Sequence, residues 1–192
     1  MSTEKKKIWL TSDTHYSHKN IITFCNRPYF DIHQMNQGMI DNWNKLVSKD
    51  DLVYHLGDFS MHERSVKHYL DQLNGVKVLI RGNHDENSIL NQFDCYAHNM
   101  IIEHDGQFIE LVHDPAHLSG KTEYAFCGHV HEKWLFMKKG QEMIDYHRGN
   151  MVSFGGAKTN ILNVGVDVHN MMPIEFSTAF DMLKQKITES SN

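Results

Sequence analysis

The chain has 192 residues, of which 40% are hydrophobic and 22% charged, the size and balance of a single compact domain spanning residues 1–192. Its formal charge of −5 sets up a field that weakly repels polyanions, so duplex nucleic-acid binding is not expected and any phosphate has to be held by local groups. No stretch approaches the roughly 18 apolar residues of a membrane span and the apolar run after Lys7 is too short for a signal peptide, which predicts a cytoplasmic protein without a membrane partner.

Ile8, Trp9 and Leu10 predict a first strand, closed by the polar run from Thr11 to His15. Met35, Met39, Ile40, Trp43, Leu46 and Val47 then follow helical spacing. A second strand over residues 52–54 ends in His55-Leu56-Gly57-Asp58, and Val66, Tyr69, Leu70 and Leu73 form another helical stripe that Asn74-Gly75 would stop. A third strand over 76–80 hands over to Arg81-Gly82-Asn83-His84-Asp85. From about Tyr96 to Val168 the chain is richer in strands, at 108–112, 124–127 and 161–164, and Met182, Leu183 and Ile187 predict a terminal helix before a fraying polar tail at 188–192. Helices alternating with nearly continuous apolar runs predict an α/β fold with mixed sheets. Cys25, Cys95 and Cys127 are odd in number and irregularly spaced, which fits neither a disulfide framework nor a thiolate metal site. They are expected to be reduced and buried.

The chain holds 15 histidines beside 24 acidic residues, and many of them fall at the carboxyl ends of the predicted strands, where sites in α/β sheets collect. Two later strands repeat the pattern, with His113 after Leu111-Val112 and Gly128-His129-Val130-His131 after Phe126-Cys127. In extended backbone, residues i and i+2 share a face, so Asp13 with His15 and His129 with His131 would each present two ligands together. Gly57, Gly82 and Gly128 each precede a candidate ligand and permit close backbone approach. Carboxylate and amide oxygens mixed with imidazole suit Mn²⁺, Fe, Co, Ni or Zn²⁺. Such a set exceeds the needs of one ion and fits two that share a carboxylate.

The ordered residues Asp13/His15, Gly57-Asp58, Gly82-Asn83-His84-Asp85, His113 and Gly128-His129-Val130-His131 resemble the signature of the calcineurin-like metallophosphoesterases. The opening from Ser12 to Ile21 is similar to a compact bacterial and bacteriophage subgroup. The fourth motif departs from the common His-Gly, reading His113-Asp114-Pro115. The resemblance implies two packed mixed β-sheets flanked by helices, an α/β/β/α sandwich. It further implies that Asp13, His15 and His131 hold one divalent ion, that Asn83, His113 and His129 hold a second, that Asp58 bridges them, and that manganese is the expected metal. A metal-bridging hydroxide would attack phosphorus, His84 would serve the leaving oxygen, and Asp85 would fix the His84 tautomer and orientation.

Four further residues are candidate substrate contacts. Arg81 adjoins the third motif; His18 either faces substrate or merely precedes a helix capped by Asn20; Arg27 either contacts phosphate or base or sits in a turn pinned by Pro28; His117 lies near enough to His113 to line a pocket. His55 reads as a hydrogen-bonded core residue, the segment from Asn163 to Asp167 as structural, and His33, His62, His68, His98, His104, His147 and His169 as surface or structural. The expected function is hydrolysis of a small phosphodiester, nucleotide-like or cyclic, because the motifs carry no additional basic cluster to hold a dianionic monoester; the alternatives are a phosphomonoesterase, including a protein phosphatase, and a non-enzymatic scaffold.

Overall fold

A computed structural model of the protein describes residues 6–147 and 150–190, by backbone alone over 143–156. His147 therefore falls outside the described side chains. The expected α/β architecture of two mixed sheets with flanking helices is present. The first sheet has the order β12-β1-β2-β3-β4, formed by β1 (Ile8–Thr11), β2 (Leu52–His55), β3 (Val76–Ile80), β4 (Cys95–Ala97) and β12 (Ile174–Glu175). β1 through β4 run parallel and β12 is antiparallel to β1. The second sheet has the order β5-β6-β7-β11-β8, from β5 (Asn99–His104), β6 (Gln107–Val112), β7 (Tyr124–Cys127), β8 (Phe136–Met137) and β11 (Asn160–Asn163). Its three central strands are parallel and its two edge strands antiparallel. A separate hairpin joins β9 (Glu142–His147) to β10 (Asn150–Gly156).

Strand periodicity sorts the side chains into layers. Trp9, Val53 and Leu79 face α2 (Ile32–Leu46) and α3 (Glu63–Leu70), whose Met35, Met39, Trp43, Val66 and Tyr69 complete one core. α2 starts where the Asp31 carboxylate accepts the Gln34 N–H at 2.8 Å, an N-cap worth about 1 kcal/mol. The alternate residues Leu10 and Ile80 face Ile109, Leu111, Phe126 and Leu162 across the gap between the sheets, where Phe176, Phe180 and Leu183 of α5 (Phe176–Glu189) join them. Leu118 and Trp134 cover a smaller cluster around Ala125, Cys127 and Ile161.

Three expectations are corrected. The tail does not fray from 188: α5 continues to Glu189, because Thr188 and Ser190 hydroxyls donate back to the Lys184 and Lys186 carbonyls at 3.1 and 2.7 Å and Glu189 accepts from Lys186 at 3.0 Å. All three cysteines are free, but Cys127 alone is buried, while Cys25 is half-buried and Cys95 lies exposed on edge strand β4. Asn20 makes no side-chain cap at the short helix α1 (Ile21–Phe24). Among the described residues no helix is long and apolar enough to cross a membrane.

Candidate metal centre

Parallel pairing brings the carboxyl ends of β1, β2 and β3 to one edge of the first sheet and those of β6 and β7 to one edge of the second. The loops there are stitched together by backbone bonds, with the N–H groups of Asp13, His15, Gly128 and Val166 donating to the carbonyls of Gly57, Asp58, His113 and Ser12 at 3.0 Å each. Asp13, His15, Asp58, Asn83, His113, His129 and His131 are thereby drawn into one cluster.

The Asp58 carboxylate is its centre, with Oδ2 3.5 Å from His15 Nε2 and 3.4 Å from His113 Nε2. On the His15 side, ligand atoms of Asp13, His15 and His131 lie within 4.8 Å of one another; on the other, those of Asp13, Asp58 and His113 do the same. Asn83 Oδ1 completes the second side at 3.0 Å from His113 Nε2 and 3.1 Å from His129 Nδ1. Both ring nitrogens of His15 are buried without a hydrogen-bond partner, although an unmatched buried polar atom normally costs about 1–3 kcal/mol. Carboxylate, amide and imidazole donors facing one another around such an atom form a set that could hold divalent ions.

Charge is balanced inside the cluster. Burial opposes ionisation of Asp58, yet His113, His15 and the His84 N–H hold its carboxyl well below the usual range. Burial likewise opposes a charged His113, and the Asp58 carboxylate outweighs it to raise the imidazole to about 9. For His15, burial dominates and keeps the ring neutral, with its pKa well below the ordinary imidazole value.

The backbone departs from the expected extended presentation. Asp13, His15, Asp58, His129 and His131 adopt φ of 58°, 48°, 57°, 71° and 49°; they project from left-handed turns rather than from one face of a strand. Such conformations cost on the order of 1 kcal/mol or more per residue and collect where function over-determines them. Gly57, at φ 91°, is required twice over, since a Cβ there would stand 2.6 Å from the Gly82 backbone and from His113 Nδ1. At Gly128 a Cβ would come within 2.6 Å of the Asp13 carboxylate.

Asp85 has a different role from the one expected. Its carboxylate accepts the N–H groups of Asp58, Phe59 and Gly82 at 2.9, 3.0 and 2.8 Å, so it ties the β2 and β3 loops together and has no bond to the His84 ring. His84 is exposed; its N–H donates to Asp58 Oδ1 at 2.9 Å and its ring stands 5.6 Å from that of His15. His18 also flanks His15, ring to ring at 5.4 Å.

Arg27 is not available to substrate. Its guanidinium is buried and donates to the Asp13 and Thr14 carbonyls at 2.7 and 2.9 Å and to both Asp167 oxygens at 2.8 and 3.0 Å. Asp167 in turn accepts from His131 Nδ1 at 2.8 Å, and burial notwithstanding, that bond and the neighbouring Cys25 raise the His131 pKa to about 11. The sequence places Asp167 only within a segment read as structural, because the partners that give it a role lie far away in the chain. Asn163 holds the last motif from below, donating to the His131 and Trp134 carbonyls at 2.7 and 2.9 Å. His55 is a core residue as expected, paired with the Thr14 hydroxyl at 3.0 Å.

Beside Asn83 and His113 opens a cavity of about 350 Å³ whose far wall includes Arg81, His98, Asn99 and His117. Arg81 and His117 thus border the cluster, and His98, expected to be surface or structural, lines the same cavity.

No family model matches the chain. It is 32% identical over 97% of its length, and 97% of the relative's, to the uncharacterized protein MJ1445 of Methanocaldococcus jannaschii. The chain belongs to the family of MJ1445. A second relative, the Gene 66 protein of Mycobacterium phage L5, is 34% identical over 50% of this chain and 49% of its own. The crystal structure of a protein of unknown function, AQ665 from Aquifex aeolicus, superposes with a TM-score of 0.68 at 26% identity, covering 93% of this chain and all of that one. The MJ1445 family fold is thus represented in a solved structure, and none of these names carries an activity.

Proposed function

We propose that this protein is a dinuclear metal-dependent phosphoesterase of the calcineurin-like type, acting on a small phosphodiester. The observation that carries the reading is the gathering of ligand-type side chains from the ends of β1, β3, β6 and β7 around the Asp58 carboxylate that follows β2, beside a buried His15 ring without a hydrogen-bond partner among the described residues. Asp13, His15 and His131 would hold one ion, Asn83, His113 and His129 the other, with Asp58 shared. When bound, two such ions neutralise phosphoryl oxygens and make a water nucleophilic near neutral pH.

The chain's own residues supply the remainder. Asp85 fixes the loops that carry Asp58 and Asn83, so both ligands are held before substrate arrives. His84 is pinned through its backbone to Asp58 with an exposed ring beside His15, the position of a proton donor to a leaving oxygen. The flanks favour a diester. His18 and His84 line the His15 end, and the Arg81 cavity opens at the Asn83 and His113 end; a phosphate with substituents on both sides uses both surfaces. One observation favours a monoester: although the motifs carry no additional basic cluster, the fold gathers Arg81, His98 and His117 around one cavity. A nucleotide-like or cyclic diester remains the working substrate.

The test is Mn²⁺-dependent hydrolysis of a chromogenic diester beside the matching monoester, with Asp58→Asn as control. Diester turnover lost in a folded Asp58→Asn variant is expected. Turnover that survives that substitution, or its absence on both substrates with metal bound, contradicts the proposal.

A further inference from the structure

The cavity beside Asn83 and His113 presents an arginine, which the metal cluster lacks. Arg81 donates Nε–H to the Asp85 carbonyl at 3.0 Å, which braces the guanidinium on the same loop that carries Asn83. Its two terminal nitrogens have no hydrogen-bond partner among the described residues. His98, at the turn between β4 and β5, and His117, exposed on the 3-10 turn after β6, bring further N–H donors to the same space, while the Asn99 amide on its wall donates to Glu110 Oε1 at 3.5 Å. Among the described residues Asp114 is the one carboxylate on this wall, and it is engaged: its Oδ1 accepts the Ala116 N–H at 2.8 Å, and its Oδ2 lies 3.9 Å from His117 Nδ1 and from His129 Nε2.

A braced arginine with unspent donors, next to imidazole and amide donors in a concave space, is a site for an anionic group in a protein whose overall charge repels anions. We infer that this cavity binds a second anionic group of the substrate, a phosphate carried on one substituent of the scissile diester. The inference rests on the phosphoesterase reading and narrows its substrate class to diesters bearing a further phosphate, such as a nucleotide phosphorylated at a second hydroxyl. The cavity volume of about 350 Å³ is enough for a sugar and a phosphate, within the range of small-molecule pockets.

A matched pair of chromogenic substrates tests it: thymidine 5′-(p-nitrophenyl phosphate) with and without a 3′-phosphate, assayed with Mn²⁺ on wild type, Arg81→Gln and His117→Ala. In wild type the 3′-phosphate should lower KM about tenfold. That advantage should fall to less than threefold in Arg81→Gln and narrow in His117→Ala, which alters an exposed side chain and leaves the fold unthreatened. Direct titration of thymidine 3′,5′-bisphosphate by calorimetry should give the same ranking without turnover. Equal KM for both substrates in wild type, or an advantage untouched by both substitutions, overturns the inference and leaves the phosphoesterase reading standing. Nitrophenol release from neither substrate, with Mn²⁺ bound, overturns both.

Discussion

At the amino end of the first sheet, Asp51 is buried and fully employed: it accepts the Lys7 N–H, the Ser48 N–H and the Trp9 indole N–H at 2.9, 2.9 and 3.0 Å. At the carboxyl end, one strand length away, Asp58 is equally buried but points Oδ2 at two imidazoles, 3.4 and 3.5 Å off. Backbone strain divides the two ends in the same way. Asp13, His15 and Asp58 are left-handed, whereas beside Asp51 the left-handed position is Gly75, at φ 87°, which adopts it without a Cβ penalty. A carboxylate whose acceptors are spent on the chain's own N–H groups is part of the scaffold. One held in a strained turn against a neutral, unpartnered histidine has capacity left for a ligand.

Substitutions at the two ends should separate binding from stability. Asp58→Asn removes the shared acceptor, and Mn²⁺ affinity measured by calorimetry should fall by more than the roughly 100-fold that a supporting residue typically controls. Asp167→Asn leaves all seven proposed ligands in place but weakens the bond that orients His131 and the ion pair with Arg27. Its Mn²⁺ affinity should drop about 10- to 100-fold, and a drop below twofold would show that His131 needs no such support. Asp51→Ala strands three donors and should cost about 3 kcal/mol, lowering the midpoint in a thermal melt by roughly 10 °C while Mn²⁺ binding is retained.

The smallest effect is a pH dependence. Burial opposes the Asp51 carboxylate, but its three donors outweigh that and hold the pKa below the usual carboxylate value. The stabilisation is therefore present above the unfolded-state pKa of about 3.9 and is lost as pH falls through the lower folded value. Acid titrations of wild type and Asp51→Asn, followed by circular dichroism, should converge below about pH 4. A gap of constant size would mean that the carboxylate's charge contributes nothing.

What the sequence discloses follows the same division. β1, β2, β3, β6, β7 and β11 are legible because each is a buried apolar run, and α2, α3 and α5 because each carries one apolar stripe. β5 is not, since its residues alternate between exposed and half-buried on a sheet edge, and β12 is only two residues long. The seven clustered residues can be read from the chain because each follows a strand and polar residues there need a reason. Their left-handed turns, the bond from Asp167 to His131 and the burial of Arg27 cannot, because each depends on segments that meet only in the fold. Arg81, His98 and His117 meet around one cavity for the same reason, though they stand far apart in the sequence.

The claim that the strand ends form a centre for two ions is tested most directly by metal content. Wild type and Asp58→Asn, equilibrated with Mn²⁺ and dialysed, would be assayed by elemental analysis, with circular dichroism to confirm the fold. The account predicts about two ions per chain in wild type and loss of at least one in Asp58→Asn. No bound metal in wild type, or equal retention by the variant, would contradict it.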